Sequence, residues 1–486
     1  MRLLNVAVPL LSFFVTAALQ VLIPQVLQMR LSGAAYAAFV VVSSVAGYIG
    51  MADGGLWLPI LRELTALNGR RALRQYVGEL RRSNRIYVFA SAAGLLVGLG
   101  SFVAARPALS VAWEPAKGMD FLLASAVTLL AVALRFWSSS YYIALLSSTG
   151  RYVFGQLVSI FNQVVPAGVL VTALLLSSDL VLSLWYYAAS IGVQGVLEAV
   201  VAYNEYYRDY AAVAAEPPPR RLREMVSDGL AIRIGEQLVL FGLPYALSIL
   251  AVGLVPAAIP ARTLSNAARL VSQQFVSQLS LRVTRLVAQA GEGTEQADRE
   301  YQVAAELLSS GHLGLLAMVD LIAEPVFRVW LPNVAPTIRG FLPGLFAEQA
   351  LLSAVLPASM LFMAHGRLRA WGLSKLWGAV FAVGALLAAL RLDALGAFGV
   401  ANFASALPSF VLCAWAELGR AQGFPAVSRM AQWRYFRAAV LVGAYLFGQS
   451  PRIVPWLIVL TCLPSFIRSL LVARSMLFGG GHRGGK

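Results

Sequence analysis

Apolar runs of about 20 residues recur along this chain from one end to the other. Coiled as a helix at about 1.5 Å per residue, such a run matches the hydrocarbon thickness of a bilayer. No water is available there to bond the backbone, so each run has to satisfy its own N–H and C=O groups as a helix. Composition agrees: 59% of the 486 residues are apolar and 13% are charged, against about 25% charged in an ordinary soluble domain. No polar stretch is long enough to make an independent soluble domain. The expected fold class is therefore all-α: a polytopic membrane protein with about 14 transmembrane helices.

The runs place six spans at about 4–28, 34–58, 86–105, 120–146, 153–176 and 180–202. Six more follow at about 229–253, 257–281, 301–323, 341–364, 372–390 and 396–417, then two at about 436–449 and 453–473. The first run is too long for a secretory signal and lacks a small-residue cleavage site, so it reads as a span. Residues 203–228 are the most polar connection and carry Pro217-Pro218-Pro219, a stiff segment that excludes helix. The reading is two six-helix lobes around a central cavity, residues 1–202 and 229–417, joined by a cytoplasmic Pro-rich linker. Residues 418–478 add two C-terminal helices, and 479–486 form a disordered tail. A weak repeat supports two halves: Trp113-Glu114-Pro115 follows the third span, Trp330-Leu331-Pro332 follows the ninth, and Pro24 and Pro244 lie in the first and seventh.

A net charge of +15 raises the question of nucleic acid. The basic residues are shared among short loops with no basic domain, so no nucleic-acid partner is expected and the positive-inside rule explains them better. With both termini in the cytoplasm, the inner loops hold 26 Lys and Arg and the outer loops seven. Pro59 to Arg85 carries seven arginines and reads as an amphipathic helix on the inner surface.

Within this frame one stretch stands out. Arg262, Asn266, Arg269, Gln273, Ser277, Ser280 and Thr284 recur every three or four positions, opposite Leu264, Ala267, Ala268, Val271, Phe275 and Leu279. On a soluble protein this would be a surface helix. At membrane depth a polar stripe has to face protein or a wet cavity. A surface placement would put every later loop on the other side and turn Arg367, Arg369, Lys375, Arg420, Arg429, Arg434 and Arg437 outward, against the charge rule. The stripe is therefore expected to line the cavity. Arginine offers a planar fork of donors suited to phosphate or carboxylate, and Arg262 and Arg269 stand about 10 Å apart along one face.

The candidate substrate-binding residues are Arg262, Arg269, Asn266, Gln273, Arg135 and Arg233. Structural pairing competes with that role: Arg233 with Glu236 three positions on, and Arg262 with Glu348. For ion coupling the candidates are Glu348 and Glu236. Asp53 is expected to cap a helix or pair with Arg62, Asp320 is a further buried acid, His312 is expected to pack, and Arg468 to snorkel to the interface. The two cysteines, Cys413 and Cys462, lie in separate apolar runs. No metal constellation, nucleophile elbow or phosphate loop is present in the sequence, so neither a metal nor a cofactor is expected. An enzyme of the membrane face, such as a glycan polymerase, would need a large outer loop, and the outer loops are at most about 17 residues.

Leu31-Ser32-Gly33-Ala34-Ala35-Tyr36-Ala37-Ala38-Phe39, Ala52-Asp53-Gly54-Gly55-Leu56 and Arg62-Glu63-Leu64 resemble the opening of Wzx-type polysaccharide flippases. These belong to the multidrug/oligosaccharidyl-lipid/polysaccharide (MOP) exporter superfamily. The resemblance covers about the first 65 residues, and Gly54 stands where the family has Leu. It implies two lobes around a cavity and alternating access. The implied cargo is an undecaprenyl-diphosphate-linked oligosaccharide, moved from the inner to the outer leaflet of the bacterial cytoplasmic membrane for surface polysaccharide (O-antigen or exopolysaccharide) biosynthesis. Implied partners are that lipid-linked oligosaccharide, membrane lipid, and the polymerase and glycosyltransferases of the pathway; the flippase itself is expected to be a monomer. Related flippases of peptidoglycan precursors use cavity arginines near the diphosphate. Outward movement of negative charge is downhill by about 2.3 kcal/mol per charge per 100 mV. The alternative is a sodium- or proton-coupled small-molecule or multidrug exporter of the same superfamily, which would carry a dominant buried carboxylate.

Overall fold

A computed structural model describes residues 22–51, 71–112, 118–149, 151–217, 234–269, 295–364, 368–392, 396–420, 425–447 and 453–478, with a few isolated positions elsewhere. Regular structure among the described residues is entirely helical. Residues 22–30 are helical and lead into α1 (Gly33–Met51), α2 (Leu73–Ala112), α3 (Gly118–Ser148), α4 (Tyr152–Ser177) and α5 (Leu180–Tyr210). Next come α6 (Leu243–Leu250), α7 (Val255–Ser265), α8 (Glu295–Trp330), α9 (Ala335–Ala364) and α10 (Leu368–Arg391). The last three are α11 (Ala397–Arg420), α12 (Pro425–Phe447) and α13 (Val454–Phe478). Among the described residues, seven helices are long and apolar enough to cross a bilayer, and three shorter apolar ones accompany them. The chain is an all-α polytopic membrane protein.

The chain divides into two compact units, Met1–Ile259 and Pro260–Lys486. In the first, α5 packs along α3 at small residues. A Cβ on Gly195 would stand 3.1 Å from the Arg135 backbone, and one on Gly192 3.9 Å from Ala131. Close backbone approach at small residues is how helices associate where lipid removes the hydrophobic drive. Residues 234–254, assigned by the sequence to the second lobe, pack on this unit. The Phe241 ring lies over Gly47, Tyr245 donates to the Ser101 carbonyl at 2.6 Å, and its ring meets Tyr48 edge-on at 6.0 Å. A π-helical turn, Leu238–Gly242, precedes α6. Pro244, with no N–H to give, follows directly.

The second unit is built around α9, whose apolar window is 83% buried, against 33% for α10. α9 and α11 cross at Gly344 and Gly399, where an added Cβ on either would run into the facing backbone. Gly378 of α10 lies equally close to the Ser405 carbonyl of α11.

Two local expectations are corrected. The surface helix expected over Pro59 to Arg85 is, from Leu73 on, the start of the 40-residue α2. Its apolar side is not turned to lipid: Tyr76 and Leu80 pack with Ile60, Leu64 and Leu67 against Tyr141, Tyr142 and Leu145 of α3. Arg434 and Arg437, expected as inner-loop charges, lie on α12, which begins at Pro425 rather than near 436. Both are buried. No hydrophobicity signal marks that segment as helix, because paired arginines interrupt it. The expectations for Asp53, Arg62, Trp113-Glu114-Pro115 and the 479–486 tail lie outside the described residues.

Candidate functional site

Several groups of buried ionisable side chains lie inside these helices, Glu79 with Arg82 among them, and two hold expected site residues, one in each unit. In the second unit α7 ends at Ser265, a turn at Asn266 follows, and residues 267–269 are helical again. The Asn266 N–H still bonds the Arg262 carbonyl at 2.9 Å; Gln273, Ser277, Ser280 and Thr284 of the polar stripe lie outside the described residues. Arg262 is 6% exposed; its guanidinium carbon sits 5.9 Å from the centre of the Phe398 ring of α11. Asn266 Oδ1 accepts from Gln349 Nε2 of α9 at 3.1 Å. Ser272 Oγ lies 3.0 Å from His312 Nδ1 of α8, and His312 Nε2 lies 3.1 Å from the Gln349 carbonyl. A carbonyl only accepts, so Nε2 carries a proton; the Ser272 hydroxyl also donates to the Ala268 carbonyl at 2.9 Å. The stripe is thus sewn to α8 and α9.

Glu348, beside Gln349, is 2% exposed, and its Oε2 has no hydrogen-bond partner among the described residues. Three cations act on it: Arg262, Arg269 and Lys375. Lys375, counted from the sequence as an inner-loop charge, lies on α10 with its Nζ 4.4 Å from the centre of the Trp371 ring. Three positive charges thus act on one carboxylate. The cluster unites Arg262, Asn266, Arg269 and Glu348 of the expected site and adds Lys375, His312 and Gln349. Gln273 and Arg233 lie outside the described residues. Glu236 is half-buried just ahead of the π turn and has an interaction partner.

The first unit holds the other cluster. Arg135 of α3 donates through Nη1 to the Asn162 carbonyl of α4 at 2.9 Å. The Asn162 side chain donates to Glu198 Oε1 of α5 and lies 3.2 Å from Ser139 Oγ. Glu198 is 7% exposed, and its Oε2 has no hydrogen-bond partner among the described residues. The sequence points to Arg135 but not to Glu198. That residue lies near the polar end of the sixth span, and nothing in the sequence shows it turning inward. Gly195, one turn before it, is the available sign of close packing.

Two buried ion pairs fix α12 to the second unit. Arg434 holds both oxygens of Glu417, at 3.0 and 3.1 Å, and Tyr301 donates to the same carboxylate. Arg437 reaches Glu306 at 3.2 Å and Ser309 at 3.0 Å. Nearer the other end of α12, Tyr445 donates to Asp320 at 3.0 Å. These pairs tie helix to helix, and they leave Arg434 Nε and Nη1 and Arg437 Nε buried with no hydrogen-bond partner among the described residues. No group of three or more His, Cys, Asp or Glu suited to a metal occurs among the described residues.

No protein-family model matches the sequence, and no curated protein matches it. Solved structures do. The MATE multidrug transporter DinF-BH superposes with a TM-score of 0.57 at 14% identity over 88% of this chain and 96% of its own. An inward-facing multidrug resistance MATE family transporter of the MOP superfamily gives 0.56 at 14% identity over 90% and 99%. The lipid II flippase MurJ, in an inward closed conformation, gives 0.54 at 8% identity over 97% and 100%. At such identities the likeness is one of fold: this chain has the fold of the MOP-superfamily transporters.

Proposed function

We propose that this chain is a cation-coupled exporter of the bacterial cytoplasmic membrane that works by alternating access, a transporter and not an enzyme. One observation carries the reading. Each compact unit holds a buried carboxylate, Glu198 or Glu348, with one oxygen left without a hydrogen bond among the described residues. Burying such a group is costly and stabilises nothing by itself, so an intramembrane carboxylate of this kind is a functional group by default. The likeness to multidrug transporters supports a small-molecule cargo.

A second reading of the cargo, a lipid-linked oligosaccharide, has its own support. Arg262, Arg269 and Lys375 outnumber the carboxylate they surround, as suits an anionic diphosphate headgroup. The flippase superposition spans 97% of this chain against 90% for the multidrug transporter. In this reading the glycan-lipid moves from the inner to the outer leaflet, with both termini in the cytoplasm.

Inside-out vesicles separate the two. With a proton or sodium gradient imposed, uptake of a fluorescent lipophilic cation that is lost in Glu198→Gln supports the exporter of small molecules. If no dye moves, and a strain lacking the protein loses surface glycan while lipid-linked oligosaccharide accumulates on the inner leaflet, the second cargo is the right one. Dye movement without any imposed ion gradient would overturn the coupling.

A further inference from the structure

We propose that Glu198 is a proton site and that Arg135 is the residue that keeps metal cations out of it; this rests on the reading of the chain as a cation-coupled transporter.

The two buried carboxylates have different surroundings. Glu348 has three cations acting on it, Arg262, Arg269 and Lys375. Glu198 has one. From α3 it is faced by Arg135 and the hydroxyls of Ser138 and Ser139, with Tyr142 also near. From α4 it is faced by the neutral Asn162 side chain. On its own helix the nearest acid is Glu205, two turns on, which is paired with Arg151 at 3.1 Å. Oε1 is occupied by Asn162, whereas Oε2 is buried and has no hydrogen bond among the described residues. The guanidinium of Arg135 is engaged on the Asn162 carbonyl rather than on the carboxylate. Ionised, Glu198 is balanced by the Arg135 charge nearby. Protonated, it is a neutral acid on a mostly apolar helix. Both states are accessible, which is what a group that loads and unloads a proton requires.

A proton needs one lone pair, and Oε2 supplies it. A hard metal cation needs about six oxygens around it. Here the Asn162 carbonyl, a backbone oxygen pointed at the cluster, is taken by Arg135 Nη1. The guanidinium also puts a fixed positive charge beside any ion that entered. Removing the Arg135 charge frees that carbonyl and removes the repulsion.

The experiment is infrared difference spectroscopy of the purified full-length protein in liposomes, following the carbonyl stretch of protonated carboxyl groups. In the wild type a component of that band should titrate with pH and be unmoved by sodium or lithium. It should vanish in Glu198→Gln and persist, shifted, in Glu198→Asp. In Arg135→Met, sodium should displace the proton and erase the component at constant pH. Displacement by sodium in the wild type would overturn the assignment, as would a band unchanged in both Glu198 variants. If Arg135→Met does not fold, Arg135→Lys serves instead, because it keeps the charge but gives up the fork; it should stay insensitive to sodium, and sensitivity there would count against charge exclusion. Cargo movement is not read here. A titrating Glu198 in a protein whose transport ignores proton gradients would refute the coupled-exporter reading and leave the site standing.

Discussion

Individual buried charges set the clearest tests. Removing one partner of a buried ion pair leaves the other desolvated and alone, at a cost of about 3–5 kcal/mol. Arg434 and Glu417 are 5% and 4% exposed at their side chains, so Glu417→Ala should lower the unfolding temperature in detergent markedly. Replacing both by apolar residues of similar volume should recover much of the loss. If the single variant melts like the wild type, the pair is not holding α12. Arg269 is a different case: its charge acts on both Glu348 and His312. Arg269→Ala should reduce export at least about tenfold while insertion and melting temperature change little. Unchanged transport in that variant would remove the second-unit cluster from the mechanism. The sequence displays Arg262 and Arg269 because a 3.6-residue period is visible in one dimension. Lys375, Arg434 and Arg437 look like loop charges in the sequence for the converse reason: half-buried Lys375 lies over Trp371, and the burial of Arg434 and Arg437 depends on Glu417 and Glu306, none of which the local pattern reveals.

Helices are held to each other here by the absence of side chains at their crossings. An alanine Cβ at Gly399 would collide with the Phe341 carbonyl, so α9 and α11 would have to move apart. Overpacking of this kind costs about 1–3 kcal/mol. Gly399→Ala should therefore lower the melting temperature, whereas Gly384→Ala, with nothing within 4 Å, should leave it unchanged or raise it slightly by removing helix-interior glycine. Equal shifts in the two variants would show that close approach is not what holds the crossing. The elements themselves were legible, because apolar length is a local property. The extent of α2 and α12 was not. Residues 73–85 and 425–435 are too polar to register as span, and they become helix because Tyr76, Leu80, Arg434 and Tyr435 find partners on other helices.

Across the whole molecule, the bias of Lys and Arg makes a prediction about sidedness. Reporter fusions placed after residue 214 and after residue 478 should report the cytoplasm, and one placed after residue 333 the opposite side. A cytoplasmic signal at 333 would break the orientation read from charge. Transport by alternating access further predicts that cysteines introduced on polar-stripe helix positions change reactivity toward a membrane-impermeant thiol reagent when the driving gradient is reversed; invariant reactivity would argue for a static protein.

By itself the sequence determined that this is a bundle of membrane helices, the side its charges favour, and the helical period at which Arg262, Asn266 and Arg269 recur. These follow from short-range facts: the length of an apolar run, the sign of the loop charges and the period of a helix. Only the tertiary structure decided which carboxylate meets which cation. Glu198 reaches Asn162 across 36 residues and Arg437 reaches Glu306 across 131. A contact made by helix packing at such separations leaves no periodic trace in either segment, so it becomes visible only when the helices are assembled.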